Sequence, residues 1–557
     1  MVFEDSVKNF ISNKRRKIDY GISATELRNY FINDPILDWF KHYGELKGFV
    51  RDDSSNSYIE HIMSRGNEFE DYVIEELRKK DYTFIDIRES YNHFCGEGID
   101  DTINAMRNGI QIIYQGYLWD SELDVYGIPD LLVRGDVIGE IFGLDCGLVK
   151  PTVVDYCWNY YVIDVKCSTI HVGKNGRMLN DGGKRAYKAQ LYIYNSILDG
   201  LFYGVGDKFR QSRAFILGRR LLEGGRIYSG LERLGGIDFN DELIGGDVSL
   251  ALNWVREVKR VGMNWDVYNP HVSSLRPNMK NRNDYPWHNA KQIVSNKIGE
   301  LTRIWNVSVR IRDDVNGGGS LMGNLSPEKG EIVGKMLGDL EFGHGELDLG
   351  GLVRGGILNF YVDFEYINGC DFSFGKDTRV HLYMIGVGYY DDDRWVYRVF
   401  IPEELSERAE KRNVLSWIGY MRDVSRDYDG FQLVHWTQAE PVLYGRLKRD
   451  WRVRGEFDWL DLYRIFKGNG IVFEGMRSFS LKDVARNMKK LGYIGVDWGD
   501  SIVDGLGANG VLIKGLRSGE SLREVGGMGE IVRYNEVDCR VMGEILGYLS
   551  SKVKKNL

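Results

Sequence analysis

Read for the spacing of its apolar positions, the chain alternates between helix-like and strand-like stretches. Ser23-Ala24-Thr25-Glu26 has the S-x-x-E spacing of a capping box. It predicts a helix running through Leu27 and Tyr30 until Asp34-Pro35 interrupts it. Phe69, Val73, Ile74 and Leu77 recur at helical spacing and predict a second helix over Asn67 to Lys80. Gly127 to Arg134 and Asn159 to Lys166 are short, β-branched or aromatic, and bounded by turn formers, so both read as strands. Lys184 to Leu198 returns to a helical pattern. A stretch containing LRPNMKNRNDYPWHNAK follows, with a helix around Lys291 to Trp305 and glycine clusters at Gly317-Gly318-Gly319 and Gly350-Gly351. It reads as a helical connector and a glycine-rich linker. A second α/β pattern starts near Ile357 with ILNFYVDFEY, then VHLYMIGVGYY, then helices, the last over Ile531 to Leu549. The pattern predicts an α/β protein in three parts: a domain over 1–260, a connector over 261–345 and a domain over 346–557.

Composition narrows the class. A chain of 557 residues is too long for one ordinary core. At 43% hydrophobic and 28% charged residues it has a soluble globular balance. No apolar run approaches the roughly 20 residues that span a bilayer, and the first residues lack the apolar core of a signal peptide. No membrane partner is expected, and an intracellular location, cytoplasm or nucleus, is. Cys95, Cys146, Cys157, Cys167, Cys370 and Cys539 form no CxxC, so neither a zinc site nor a disulfide framework is suggested. The net charge of −8 argues against a protein that coats nucleic acid. It is compatible with an enzyme that collects acids to hold cations, because a bound cation reverses the local sign. The basic run Lys14-Arg15-Arg16-Lys17 fits a targeting or phosphate-contacting patch, but reads better as a solvated segment.

The first candidate constellation gathers around YYVIDVKC. Asp164 and Lys166 are two apart and share one face of that strand. An acid and a lysine on a face of an apolar strand are costly to bury unless paired or metal-bound. Asp130, after Ile128-Pro129 at the end of the other strand-like run, offers a second carboxylate. Two such carboxylates suit Mg²⁺ or Mn²⁺, and the lysine can steady an attacking water and the charge growing on a phosphate. Glu70 on the preceding helix is a further possible ligand. Gln190 and Tyr194, at i and i+4, project from one helix face. A D-x-K pair alone is as well explained by a surface ion pair; the ordered set carries more weight.

That set, GNEFE (Gly66 to Glu70), GIPD (Gly127 to Asp130), DVK (Asp164 to Lys166) and QLYIY (Gln190 to Tyr194), resembles the RecB-family branch of the PD-(D/E)xK nucleases over roughly the first 200 residues. The resemblance implies a restriction-endonuclease-like fold with a mixed central sheet. It implies Asp130 and Asp164 as metal ligands, Lys166 as the catalytic lysine, and Gln190 with Tyr194 as the helix motif beside the site. Glu70 stands where many relatives have histidine; it remains a ligand for a hard cation and bears on metal preference. Several relatives hold an iron–sulfur cluster on one early and three late cysteines. Here no cysteine precedes Glu70, and after Tyr194 come Cys370 and Cys539 alone, so no iron–sulfur cluster is expected.

The second constellation lies in the C-terminal part. Asp363 and Glu365 of FYVDFEY share a strand face, and YNEVDC puts Tyr534 and Asp538 at i and i+4 on one helix face. A strand D-x-E with a helical aspartate suits a two-metal site, whose ions about 4 Å apart stabilise the attacking and leaving oxygens of an in-line hydrolysis. The tyrosine would orient or help deprotonate the water. Taken singly, each piece reads as an exposed acidic edge or a helix-cap acid. Together, DFE (Asp363 to Glu365), HWTQAE (His435 to Glu440), FSLK (Phe479 to Lys482) and YNEVDC (Tyr534 to Cys539) resemble the DEDD 3′→5′ exonucleases of the ribonuclease H-like fold, in their tyrosine subtype. They resemble in particular the YprB-like ribonuclease H domain found fused to RecB-type nucleases. The resemblance covers about 350 to 550 and implies Asp363, Glu365, Glu440 and Asp538 as metal ligands with Tyr534 as the catalytic tyrosine. Glu440 occupies the place of the usual aspartate, a replacement that the YprB-like group often shows. Asp461 competes for that role but fits better as a structural acid.

Among weaker features, Trp436 reads as core rather than a base contact. His288 and Trp287 are given no chemistry. Asn278 and Lys280 could touch a phosphate or simply complete a loop. The abundant tyrosines and tryptophans could offer stacking platforms for single strands, but most should be packed. The expectation is a two-headed, Mg²⁺- or Mn²⁺-dependent nuclease acting on DNA (single strands or ends) or RNA, with repair, recombination or end processing implied by the RecB resemblance. No Walker A motif occurs, so unwinding would fall to a separate helicase. The rival expectations are a non-catalytic nucleic-acid-binding scaffold for such a helicase and an RNA-processing exonuclease.

Overall fold

The computed structural model describes residues 21–52, 57–91, 94–144, 153–154, 157–201, 213–242, 244–338, 356–368, 379–499 and 505–553. The basic run at 14–17, Cys146, Cys370 and the glycine pair at 350–351 lie outside the described residues. The chain is a mixed α/β protein in two compact units, one running to Asp52 and from Met63 to Glu300, the other built mainly from Leu301 onward. The stretch expected as a connector therefore divides at Glu300, each part packing with its own unit.

The first unit is built on a seven-stranded mixed sheet. Its spatial order is Arg226–Ser229, Arg213–Glu223, Tyr160–Val172, Leu131–Arg134, Ile112–Tyr114 and Phe84–Asp86, with Gly235–Asp238 also paired to Arg213–Glu223. The two long central strands, Tyr160–Val172 and Arg213–Glu223, run parallel, with the helix Lys184–Leu201 between them in sequence. Both sheet faces are apolar and covered. On one, Tyr161, Ile163, Val165, Phe215 and Leu217 pack with Phe69, Val73, Ile74 and Leu77 of the helix Ser57–Arg78. On the other, Tyr160, Val162, Ala214 and Ile216 pack with Ala189, Leu191, Ile193 and Tyr194 of the helix Lys184–Leu201. Each fully buried Val, Leu, Ile or Phe contributes about 1.5–3 kcal/mol, enough in sum for the sheet to tolerate an acid on its covered face. Asp164, in phase with Val162, lies on the face toward the second helix and is buried.

Several element boundaries differ from expectation. The capping box forms, with the Ser23 amide donating to Glu26 Oε2 at 3.0 Å, but opens a 3-10 turn that becomes α-helix only over Arg28–Phe31. The helix expected over Asn67 to Lys80 begins earlier, at Ser57. The strand expected over Gly127 to Arg134 is two strands, Val125–Gly127 and Leu131–Arg134, that belong to different sheets. Pro129 has no amide hydrogen to donate to a ladder, so the chain leaves one sheet and enters the other across Ile128-Pro129-Asp130. The helix expected around Lys291 to Trp305 is His288–Lys297 followed by a 3-10 turn at Leu301–Arg303.

Residues 261–300 are pinned to the first unit by a buried charge cluster. Lys291, fully buried, places Nζ 2.6 Å from Asp34 Oδ2 and 2.8 Å from Asp284 Oδ2, and donates to the carbonyl of Asn278 at 2.9 Å. Asp34 also accepts from the Asn278 amide and the Asn281 side chain. Trp287 stacks on Phe40, ring centroids 5.5 Å apart. Asn278 is thus spent inside the loop, and His288 is paired with Asp284 at 2.9 Å.

The second unit is built on a five-stranded sheet in the spatial order Arg394–Phe400, Val380–Asp391, Ile357–Asn368, Gly430–His435 and Asp458–Asp461. The first three form an antiparallel meander; Gly430–His435 adds in parallel to Ile357–Asn368, and Asp458–Asp461 in parallel to Gly430–His435. Leu358, Phe360, Val362 and Phe364 bury against the helices Glu407–Val424 and Ala439–Trp451. Tyr361 packs on the opposite side with Cys539, Met542, Ile545 and Leu546 of the last helix, Met528–Val553. By strand alternation Asp363 and Glu365 share that second side, under the last helix. Among the described residues no helix is long and apolar enough to cross a membrane.

Candidate metal centres

In the first unit the structure brings Asp130, Asp164, Lys166, Gln190 and Tyr194 together. Lys166 Nζ sits 2.7 Å from Asp164 Oδ2 and 3.9 Å from Asp130 Oδ2. Asp130 lies in the break before Leu131, where its Oδ2 accepts from the Val165 amide at 2.6 Å, which fixes it beside the Asp164 strand. Gln190 Nε2 lies 2.9 Å from the Tyr194 hydroxyl and 3.4 Å from Asp164 Oδ1. Gly127 makes this possible: a Cβ there would overlap the Tyr194 ring. Burial pushes the Asp130 carboxyl up to about 7 and Asp164 adds to the shift, against the pull of Lys166. For Lys166 burial works the other way, yet Asp164 and Asp130 outweigh it and hold the ammonium charged.

Glu70 reaches the rim of this group from the helix on the opposite face of the sheet. Its Oε1 accepts from Tyr114 at 2.9 Å and from Gln115 at 2.7 Å. Burial and then the nearby Asp130 raise its pKa. Tyr114 and Gln115 were not foreseen; Tyr114 ends the short strand Ile112–Tyr114 and Gln115 follows it, and no spacing in the sequence ties them to Glu70.

In the second unit the convergence is tighter. Asp363, Glu365 and Asp538 bring carboxylate oxygens within 4.8 Å of one another, the one such acidic group of three among the described residues. Asn535 holds the first of them: its Nδ2 donates to Asp363 Oδ2 at 2.6 Å while its Oδ1 accepts from the Tyr397 hydroxyl at 2.9 Å. Trp498 Nε1 donates to Asp538 Oδ1 at 3.0 Å. Burial raises Asp363 to about 7. Burial, then Asp363, raises Glu365 to about 8. Asp538 is pushed well up by burial, then by Asp363 and Glu365.

Glu440 stands beside this group on the first turn of the helix Ala439–Trp451. Burial and then Asp363 raise it to about 8. Its Oε2 is buried without a hydrogen-bond partner, 3.7 Å from Nδ1 of the buried His435. Asp461 is spent elsewhere, capping the helix Leu462–Gly468 through the Arg464 amide at 3.0 Å and accepting from Gln438 at 2.7 Å. Trp436 is nearly buried and donates to the Phe479 carbonyl at 3.0 Å, which ties the HWTQAE segment to the FSLK turn. Tyr534 lies one helical turn before Asp538, under the Lys482 ammonium, 4.9 Å from its ring centroid.

Carboxylates crowded together in a buried setting favour either shared protons or a cation. An all-oxygen donor set, with an orphaned Glu440 oxygen at its side, suits a hard divalent ion. Asn535 and Trp498 were missed by the sequence reading. Asn535 had a signal: it interrupts the apolar stripe Ile531, Cys539, Met542 and Leu546 at i+4 and i+3 steps, where a polar residue needs a buried partner. Trp498 comes from an irregular segment and had none. No family model and no curated protein matches the chain.

Proposed function

We propose that the protein is a metal-dependent nuclease with two heads, a restriction-endonuclease-like first unit and a ribonuclease H-like second unit. The observation that carries the proposal is the convergence of Asp363, Glu365 and Asp538, from one strand and one distant helix, into a group spanning 4.8 Å. The mixed seven-stranded sheet and the meander extended by two parallel strands support the two fold assignments. A divalent ion bound among these oxygens supplies positive charge to the attacking and leaving oxygens of a phosphodiester. The protein's own groups do the rest. Asn535 fixes Asp363, Trp498 fixes Asp538, and Tyr534 orients the water. That water's oxygen bonds to phosphorus as the bond to the 3′ oxygen breaks, and the proton passes from the water to the leaving oxygen. The second head so read releases nucleotides from 3′ ends. In the first head Asp130, Asp164 and Glu70 are the ligands, Lys166 steadies the nucleophile, and Gln190 with Tyr194 positions Asp164.

A second reading, in which the first head binds nucleic acid without cutting it, has one observation in its favour. Asp164 is already paired with Lys166 at 2.7 Å, and among the described residues no group of three acidic ligands forms there. End-labelled single- and double-stranded DNA and matched RNA, incubated with Mg²⁺ or Mn²⁺, decide between them. Asp363→Ala should abolish shortening from the 3′ end, and Asp164→Ala should abolish what remains. Residual cutting unaffected by Asp164→Ala reduces the first head to binding. Wild-type rates in the double variant overturn the proposal.

A further inference from the structure

We propose that Lys482 is a catalytic residue of the second head that grips the substrate phosphate; this deepens the nuclease reading and rests on it. Lys482 follows Leu481 at the start of the helix Leu481–Lys490, which is capped by Ser480. That turn is locked. Ser480 Oγ accepts from the Asp483 amide at 3.3 Å, and Asp483 Oδ2 accepts from the amides of Arg477 at 2.8 Å and Ser478 at 2.6 Å. The lysine head is then held over two rings, 4.9 Å from the centroid of Tyr534 and 5.7 Å from that of Trp498. These two residues frame Asp538, one a helical turn away, the other hydrogen-bonded to it.

The placement makes poor sense as a stabilising device. A cation in the first turn of a helix opposes the helix dipole. Lys482 makes no ion pair and no hydrogen bond with any described residue, although it is only half-exposed and its charge is felt by Glu365 and Asp538. An unpaired ammonium steered by rings to the edge of an acidic centre lacks an anion. A phosphodiester seated on that centre supplies one. The helix N-terminus beneath the lysine adds to the attraction for the same group. The ammonium donates to a non-bridging phosphate oxygen and stabilises the charge that grows there as the water attacks.

The test compares the full-length protein with Lys482→Met, which keeps the stem between the rings, and Lys482→Arg, which keeps the charge. Two readouts are taken. The first is kcat/KM on a 5′-labelled single strand with Mn²⁺. The second is the salt dependence of binding the same strand in EDTA. Lys482→Met should lower kcat/KM about 100-fold and make the slope of log K against log salt shallower by about 0.7, the value of one single-strand phosphate contact. Lys482→Arg should recover most of both. A Lys482→Met protein within twofold of wild type in rate, with an unchanged slope, overturns the assignment while leaving the nuclease reading intact. A wild type without Asp363-dependent cleavage overturns both together.

Discussion

Replacing Asp363 with asparagine should make the metal-free protein more stable while removing the 3′-end cleavage proposed for the second head. The side chain is half-buried beside Glu365 and Asp538, and its folded-state pKa of about 7 stands against 3.8 for an ordinary aspartate. A carboxyl so raised binds its proton more tightly in the native chain than in the unfolded one. Its contribution is therefore fully present below about pH 4 and is lost as pH rises through about 7. At 1.36 kcal/mol per pH unit, the ionised group costs about 4 kcal/mol as an upper bound. The neighbouring acids share protons and relieve each other, so roughly 2 kcal/mol is a fair figure for one member of the set. Asparagine removes that charge and can still accept from Asn535. Chemical denaturation in EDTA should show Asp363→Asn gaining roughly 2 kcal/mol at pH 8.5 and within about 0.5 kcal/mol of wild type at pH 4.5. Thermal melts should show about 2–4 °C per kcal/mol. Divalent ion should narrow the gap from the other side: at ten times its dissociation constant it returns about 1.4 kcal/mol to the wild type and little to the variant. Equal destabilisation of the variant at both pH values would refute the reasoning, because the acids would then not be held at a cost.

Three other outcomes follow from the packing. Lys291→Met strands Asp34 and Asp284 in the interior and should cost about 3–5 kcal/mol by urea titration; adding Asp34→Asn should recover part of that, and a strictly additive double variant would deny the pairing. Gly386→Ala drives a Cβ into Asn535 and toward the Tyr397 hydroxyl, so it should lose about 1–3 kcal/mol and the 3′-end activity with it; a fully active, equally stable protein would show that Asn535 is not a fixed clamp. Glu70→Gln keeps both hydrogen bonds to Tyr114 and Gln115 and should leave the melting curve in place while first-head cutting drops about 10-fold or more, whereas an unchanged cutting rate would remove Glu70 from the site.

The acids themselves were legible because chemistry at i and i+2 of a strand, or i and i+4 of a helix, survives without knowledge of the fold. Asp363 with Glu365, Tyr534 with Asp538, and Asp164 with Lys166 were all visible as such pairs. What spacing cannot convey is who closes the distance between pairs. Asn535 reaches Asp363 across 172 positions, and Trp498 reaches Asp538 from a segment with no periodic pattern. The break at Pro129 was written in the sequence but was read through as continuous strand, since its neighbours on both sides are β-formers. The early start of the Glu70 helix was legible too, since Ile59, Ile62 and Met63 already recur at helical spacing before Gly66, but the expected helix begins only at Asn67. The division of the connector at Glu300 depends on Lys291, an ordinary surface-type residue until Asp34 is known to lie against it.

That lysine sets where the chain can be cut. Expressed alone and ended near residue 260, where the sequence pattern closes its first domain, the N-terminal half would keep Asp34 as an interior anion and lose the cation that answers it, along with the indole that covers Phe40. Carried on through Glu300, the same half keeps both. The boundary that preserves the piece is therefore some forty residues beyond the one that periodicity suggests, and side-by-side expression of the two lengths would show it as a difference in soluble yield.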